Sequence, residues 1–250
     1  MSEHTQYAKN FIDRVVFRLD LSPVLAISKE VPTKFQEKIK DKFPVTDLGA
    51  LLEIETIITG TGRTDKQNSI PLYTFRTADS SKKVIISQNN FSIEVSKYTE
   101  FEEFKTDVLN SYNYFQGIYS PLTITRCGLR YINKIKIPEG NPLDWNDYIN
   151  PSLLSFIGSF PDNLGNISRA MSQLCFNKDS FNIHFNYGIF NPEFPGKVSR
   201  KEFILDYDCF TRECTQEGVE TLLKNSSTEI QKMFEQSVTP GLRDLLGKKI

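Results

Sequence analysis

Four cations of one strand-like run share a parity: Arg126, Arg130, Lys134 and Lys136. Side chains along a strand alternate between two faces. The run Thr125-Arg126-Cys127-Gly128-Leu129-Arg130-Tyr131-Ile132-Asn133 therefore turns these cations to one side. It turns Cys127, Leu129, Tyr131, Ile135 and Ile137 to the other. A guanidinium offers a planar fork of donors that fits phosphate or carboxylate, so such a row can bind an anion or a nucleic-acid backbone. A bulge at Gly128 would shift the parity and split the row into two pairs. The competing expectation is an ordinary half-exposed sheet face. Its cations would then be paired with carboxylates of neighbouring strands, Glu53 and Glu55 or Asp206 and Asp208, and this second expectation carries more weight.

Glu202, Asp206 and Asp208 form a second group, also of one parity. Clustered carboxylates can hold a divalent metal for phosphodiester hydrolysis. That chemistry also needs a third ligand at a defined distance and a basic partner, which the spacing does not supply. Strand-surface charge is their expected role, and a metal-dependent nuclease is the alternative. His184 stands on the polar face of an alternating run, between Asn182 and Asn186, with no motif providing a nucleophile or an orienting group. His4 falls in a polar tail. Gly60-Thr61-Gly62 lacks the pattern of a phosphate loop, and no nucleophile-elbow, zincin or kinase signature is present. Phe75, Phe91 and Tyr131 could stack bases if exposed, but their parity, shared with Leu and Ile, predicts core. No cofactor pattern is present and no cofactor is expected; no catalytic residue is assigned.

The balance of 30 Lys and Arg against 31 Asp and Glu leaves a net charge of -1. No global field draws the chain to nucleic acid or a membrane, so a basic function must come from a local patch. No apolar run approaches the roughly 20 residues that span a bilayer. The start, MSEHTQYAKN, lacks the apolar stretch of a signal peptide, so a cytoplasmic location is expected. Cys127, Cys175, Cys209 and Cys214 are scattered without a C-x-x-C pair, and free thiols are the expectation in a reducing compartment.

The 19 Phe and 10 Tyr favour sheet with a substantial core. A strand is predicted around Val15, Phe17 and Leu19, and a helix from Pro32 carrying Phe35, Ile39 and Phe43. A strand at Leu52–Ile58 follows, then a polar loop from Gly60 to Ser69 and strands near 70–77 and 83–88. Asn89-Asn90 marks a tight hairpin. Thr99 with Glu102 reads as a capping box opening a helix with the stripe Phe101, Phe104, Val108, Tyr112 and Phe115. Strands near 167–176, 181–189 and 201–210 come next. A helix is predicted from Ser226 and Glu229, and a last one from Thr239-Pro240 to Gly247. The prediction is an α+β fold: antiparallel sheet with amphipathic helices packed on one face, its two halves each a β-meander followed by a helix. The chain reads as a single α+β unit over residues 1–250. Subdomains at 11–138 and 165–250 would be joined by a Pro/Gly/Asn-rich connector at 139–164.

The chain resembles a sporadically distributed, uncharacterised family of bacterial proteins of about 250 residues. Three segments carry the resemblance: Val15-Val16-Phe17-Arg18-Leu19-Asp20, Arg126-Cys127-Gly128-Leu129-Arg130-Tyr131-Ile132-Asn133, and Ile204-Leu205-Asp206-Tyr207-Asp208 with the later Ile230, Phe234, Glu235 and Thr239. The resemblance implies one co-inherited unit and transfers no catalytic residue. Sporadic distribution implies horizontal transfer, and with it a place in phage defence or a toxin–antitoxin pair. Together these readings predict a non-enzymatic binding module that recognises a protein or nucleic-acid partner in a bacterial cytoplasm.

Overall fold

Period-two alternation in the sequence becomes sheet over most of the chain. The structure, a computed structural model, describes residues 7–247 apart from Thr61 and Phe160. His4 and the centre of the Gly60-Thr61-Gly62 turn thus lie outside the described residues. Among those described, the strands are β1 (Ile12–Leu21), β2 (Val45–Thr59), β3 (Gly62–Arg76), β4 (Lys82–Ser87), β5 (Asn90–Val95), β6 (Ile124–Lys136), β7 (Ala170–Asn177), β8 (Asn182–Ile189) and β9 (Glu202–Thr211). The helices are α1 (Leu25–Lys29), α2 (Thr33–Ile39), α3 (Phe101–Tyr119), α4 (Val219–Ser237) and α5 (Pro240–Leu246). The strands form an antiparallel sheet in the order β2-β3-β4-β5-β1-β6-β9-β8-β7, an α+β fold. No helix among the described residues is long and apolar enough to cross a membrane.

The chain divides into two compact units. One comprises Val16–Cys127 and Arg212–Glu220; the other comprises Met1–Val15, Gly128–Thr211 and Thr221–Ile250. The segment 139–164 thus lies inside the second unit.

In the first unit, β3, β4 and β5 turn Phe75, Val84, Ile86, Phe91 and Ile93 inward. The inner stripes of α2 and α3 cover them. Phe35 of α2 meets Phe75 and Phe115 edge-on at 5.6 and 5.9 Å, and Phe91 lies 4.9 Å from Phe115. Such pairs add to simple burial of area. The β4–β5 hairpin turns at Gln88-Asn89, one residue before the predicted pair, with Ser87 opposite Asn90. Thr99 does not cap α3 as a box with Glu102. Its hydroxyl hydrogen-bonds Glu103, and Glu100 is the N-cap.

The predicted loop from Gly60 to Ser69 is instead mostly strand. The two 15-residue strands β2 and β3 pair over their whole length, from Val45 opposite Arg76 to Thr59 opposite Gly62. β4 meets β3 at 73–76. Residues 49–72 therefore form a two-stranded arm.

In the second unit, β8 and β9 bury Ile183, Phe185, Tyr187, Phe203, Leu205 and Tyr207. Tyr207 stacks on Phe185 at 4.5 Å, and its hydroxyl donates to Ser237 Oγ of α4 at 2.9 Å. The helix predicted from Ser226 starts earlier, at Val219. Its buried line is Val219, Leu223, Ser226 and Ile230, and the serine interrupts the apolar pattern that would have marked it. The helix α5 begins after Thr239 and stops at Gly247, whose φ is 65°, as predicted.

Candidate functional site

The two parities predicted along β6 separate in the structure. Cys127, Leu129, Tyr131, Asn133 and Ile135 are buried, while Arg130 and Lys136 are exposed and Arg126 and Lys134 half-buried. The cationic row is real as a parity but not as a free positive surface. It also divides between the units: Arg126 belongs to the first, and Arg130, Lys134 and Lys136 belong to the second.

Arg130 meets the carboxylate of Asp206 on β9 bidentately. Nε and Nη2 donate to its two oxygens at 2.7 and 2.6 Å. Asp206 is buried, and its hydrogen bonds, against the opposing effect of burial and with its charge adding less, hold the Arg130 guanidinium above its ordinary pKa. The polar contacts continue across the sheet. Asn186 of β8 donates to Asp206 at 3.5 Å, and Gln173 of β7 donates to Asn186 at 2.8 Å. Lys134 pairs with Glu202 at 2.9 Å. Arg126 also has an interaction of its own. Asp206 is one of the partners anticipated for the row; the side chains of Glu53 and Glu55, the other anticipated pair, lie outside the described ones. Phe75, Phe91 and Tyr131 are buried, so they offer no stacking platform.

The same ion pairs occupy the carboxylate group. Asp206 faces Arg130 and Glu202 faces Lys134, while Asp208 is half-buried and also engaged. Among the described residues no three acidic, His or Cys side chains are grouped to hold a metal ion.

Strand pairing brings together one row that the sequence reading missed. Cys175 of β7 stands opposite His184 of β8, and His184 opposite Asp208 of β9. Nucleophile, base and acid in that order invite comparison with a catalytic triad, which requires the groups within hydrogen-bond reach. Here the imidazole packs edge-on against the Phe210 ring at 5.0 Å, and it is the strand register that aligns the three. The pairing is non-local, so no sequence spacing announces it.

A third cluster lies in the first unit. Asp107 of α3 is buried, and Lys42 and Lys82 both reach it, with Lys82 Nζ at 2.8 Å and also bound to Glu103. Desolvation lowers the pKa of Lys82, but the hydrogen bonds to Asp107 and Glu103 outweigh it and leave a net rise. Two lysines on one buried carboxylate make a satisfied network that ties α3 to β4.

The arm is different in kind. Every residue of 47–69 whose side chain is described is exposed, including Leu48, Leu51, Leu52 and Ile58, the last at 79%. Leu48, Leu52 and Ile58 share one face of β2, the outermost strand of the order. An isolated two-stranded ribbon is marginal in water. The outer edge of such a strand presents backbone N–H and C=O groups ready to pair.

Breaking the Arg130–Asp206 pair tests its structural role. Arg130→Ala leaves a buried carboxylate with the long Asn186 contact as its one remaining side-chain partner among the described residues. It is expected to cost about 2 kcal/mol, the low end for such a pair because the guanidinium is half-exposed to solvent. Arg130→Met with Asp206→Leu is expected to restore most of that loss in urea denaturation. A single variant as stable as the wild type would return Arg130 to the list of free cations.

Compared with known proteins, the chain matches no family model, and no curated protein matches it.

Proposed function

We propose that the protein is a non-enzymatic binding module whose β2–β3 arm receives a protein partner, by strand addition along the edge of β2. The carrying observation is the arm itself: a two-stranded ribbon with Leu48, Leu52 and Ile58 exposed on one face. Strand addition gives affinity through main-chain hydrogen bonds and specificity through alternate side chains, and β2 offers both. A patch of exposed apolar side chains favours a protein over a polyanion. The compensated cations of β6 and the net charge of -1 supply little of the phosphate neutralisation that nucleic-acid binding needs. A bacterial setting within phage defence or a toxin–antitoxin pair belongs to this proposal through the resemblance alone, and a cytoplasmic one through the sequence reading.

The test compares proteins that co-purify with the native chain and with a Leu52→Lys, Ile58→Lys double variant. Both positions are exposed, so stability is expected to change by no more than about 0.5 kcal/mol. A stoichiometric partner held by the wild type and by Arg130→Ala, but weakened at least about tenfold by the arm variant, is the expected result. The reading is overturned by a partner indifferent to the arm, by bound nucleic acid that leaves as salt is raised, or by chelator-sensitive nuclease activity.

A further inference from the structure

Two of the four cysteines are joined by the fold. Cys127 is buried on β6, and Cys214 is half-buried in the segment after β9; both belong to the first unit. Their thiols share a hydrogen bond, and Cys214 Sγ also donates to the carbonyl of Thr215 at 3.3 Å. The Tyr112 hydroxyl of α3 lies near both sulfurs. It donates to the carbonyl of Gln216 at 3.3 Å, and the Gln216 side chain accepts from Gln116 and Ser120, each at 3.1 Å. The segment carrying Cys214 is thereby clamped to α3 with its thiol against Cys127. The other two cysteines have different surroundings: Cys175 is exposed on β7, and Cys209 is buried, which pushes its thiol up to about 11.

We propose that Cys127 and Cys214 are a redox pair that a hydroperoxide closes to an intramolecular disulfide, with Cys214 oxidised first and Cys127 resolving it. Cys214 is the less buried residue of the two. The hydrogen bond from Cys127 stabilises its thiolate and lowers its pKa against the opposing effect of burial. In the first step the Cys214 thiolate attacks a peroxide oxygen. An S–O bond forms, the O–O bond breaks, and the departing oxygen takes up the proton released by the thiol. Cys214 is then a sulfenic acid, oxidised by two electrons. In the second step the Cys127 sulfur attacks Cys214. An S–S bond forms, the S–O bond breaks, and hydroxide leaves with the Cys127 proton as water. Two thiols and one hydroperoxide give one disulfide, one alcohol (water, for hydrogen peroxide) and one water. Closing thiols from hydrogen-bond contact to a disulfide of about 2 Å asks a short movement of the Cys214 segment. The product ties the Arg212–Glu220 segment covalently to β6.

The test treats the reduced full-length protein with one equivalent of hydrogen peroxide, then denatures and alkylates it. The expected result is a mass lower by about 2 Da before alkylation, and after it a Cys127–Cys214 cross-linked peptide with Cys175 alkylated. Cys127→Ala is expected to stop at a Cys214 sulfenic acid that dimedone traps, and Cys214→Ala to give no intramolecular disulfide. Oxidation confined to Cys175 in the wild type, with Cys127 and Cys214 both alkylated, overturns the proposal. So does a Cys214 sulfenic acid that accumulates in the wild type while Cys127 stays a thiol.

Discussion

Truncating Trp145 to Ala is expected to lower the unfolding free energy by about 3–5 kcal/mol, a large share of the stability of an ordinary domain. Trp145 is the only tryptophan, and it is fully buried. Its ring packs 5.3 Å from Phe203 of β9, and its indole N–H donates to the carbonyl of Pro142 at 2.9 Å. The ammonium of Lys201 stands 5.7 Å from the ring centroid. Truncation removes the apolar contact, opens a cavity and leaves the Pro142 carbonyl without this donor. The backbone that follows is stitched to the end of α4. Asn150 N donates to the carbonyl of Ser237 at 2.9 Å, its side chain to that of Gln236 at 2.9 Å, and Thr239 N to that of Tyr148 at 3.1 Å. Urea denaturation followed by far-ultraviolet circular dichroism reads the loss without needing the indole. Trp145→Phe, which keeps a ring, is expected to cost less than half as much. A loss below about 1 kcal/mol for Trp145→Ala would make 139–164 peripheral to the unit.

Trp145 also shows what a sequence hides. Residues 138–166 carry many Pro, Gly and Asn, and composition alone reads them as a link. One aromatic in such a stretch has no periodicity to announce that it is core. The start of β3, read as a polar loop, was missed for the opposite reason. Asp65, Gln67, Asn68 and Ser69 are strand residues whose side chains are all polar and exposed. Where apolar alternation is absent, a polar strand looks like a loop. Where one face is buried the pattern was plain: the inward and outward residues of β6, the stripe of α3 and the cap of α5 were all legible. Asp206 was legible as one of the alternative partners of the β6 cations, whereas the pairing of Lys134 with Glu202 was not. The contact of Cys127 with Cys214 was not legible at all, because neither spacing nor parity encodes a loop folding back against a strand.

Gly188→Ala is expected to free β7 from β8 and to cost about 3 kcal/mol if the strand stays in place. Gly188 sits at φ +133°, a backbone region that side-chain-bearing residues rarely adopt. A methyl group there would run into the carbonyl oxygen of Ala170 and lie 3.0 Å from Met171 Cα. Both obstacles are backbone of the paired strand, where Met171 stands opposite Gly188 and Ala170 opposite Ile189. A flexible side chain could turn aside, but a paired backbone can yield only by moving the strand. β7 is the outermost strand on its side of the order, and most of its side chains are exposed, so moving it sacrifices little burial. The cheapest relief is therefore local release of 170–177 rather than global unfolding. Amide hydrogen exchange is expected to show lost protection across β7 and retained protection in β9, whose other neighbour is β6. Release would also remove Gln173 from Asn186, shortening the polar contacts that lead to Asp206 and Arg130 while leaving that ion pair intact. Unchanged protection of β7 would mean that the paired strands shift by about 1 Å to take in the methyl group without parting. The close approach at Gly188 would then not be what fixes the β7–β8 register.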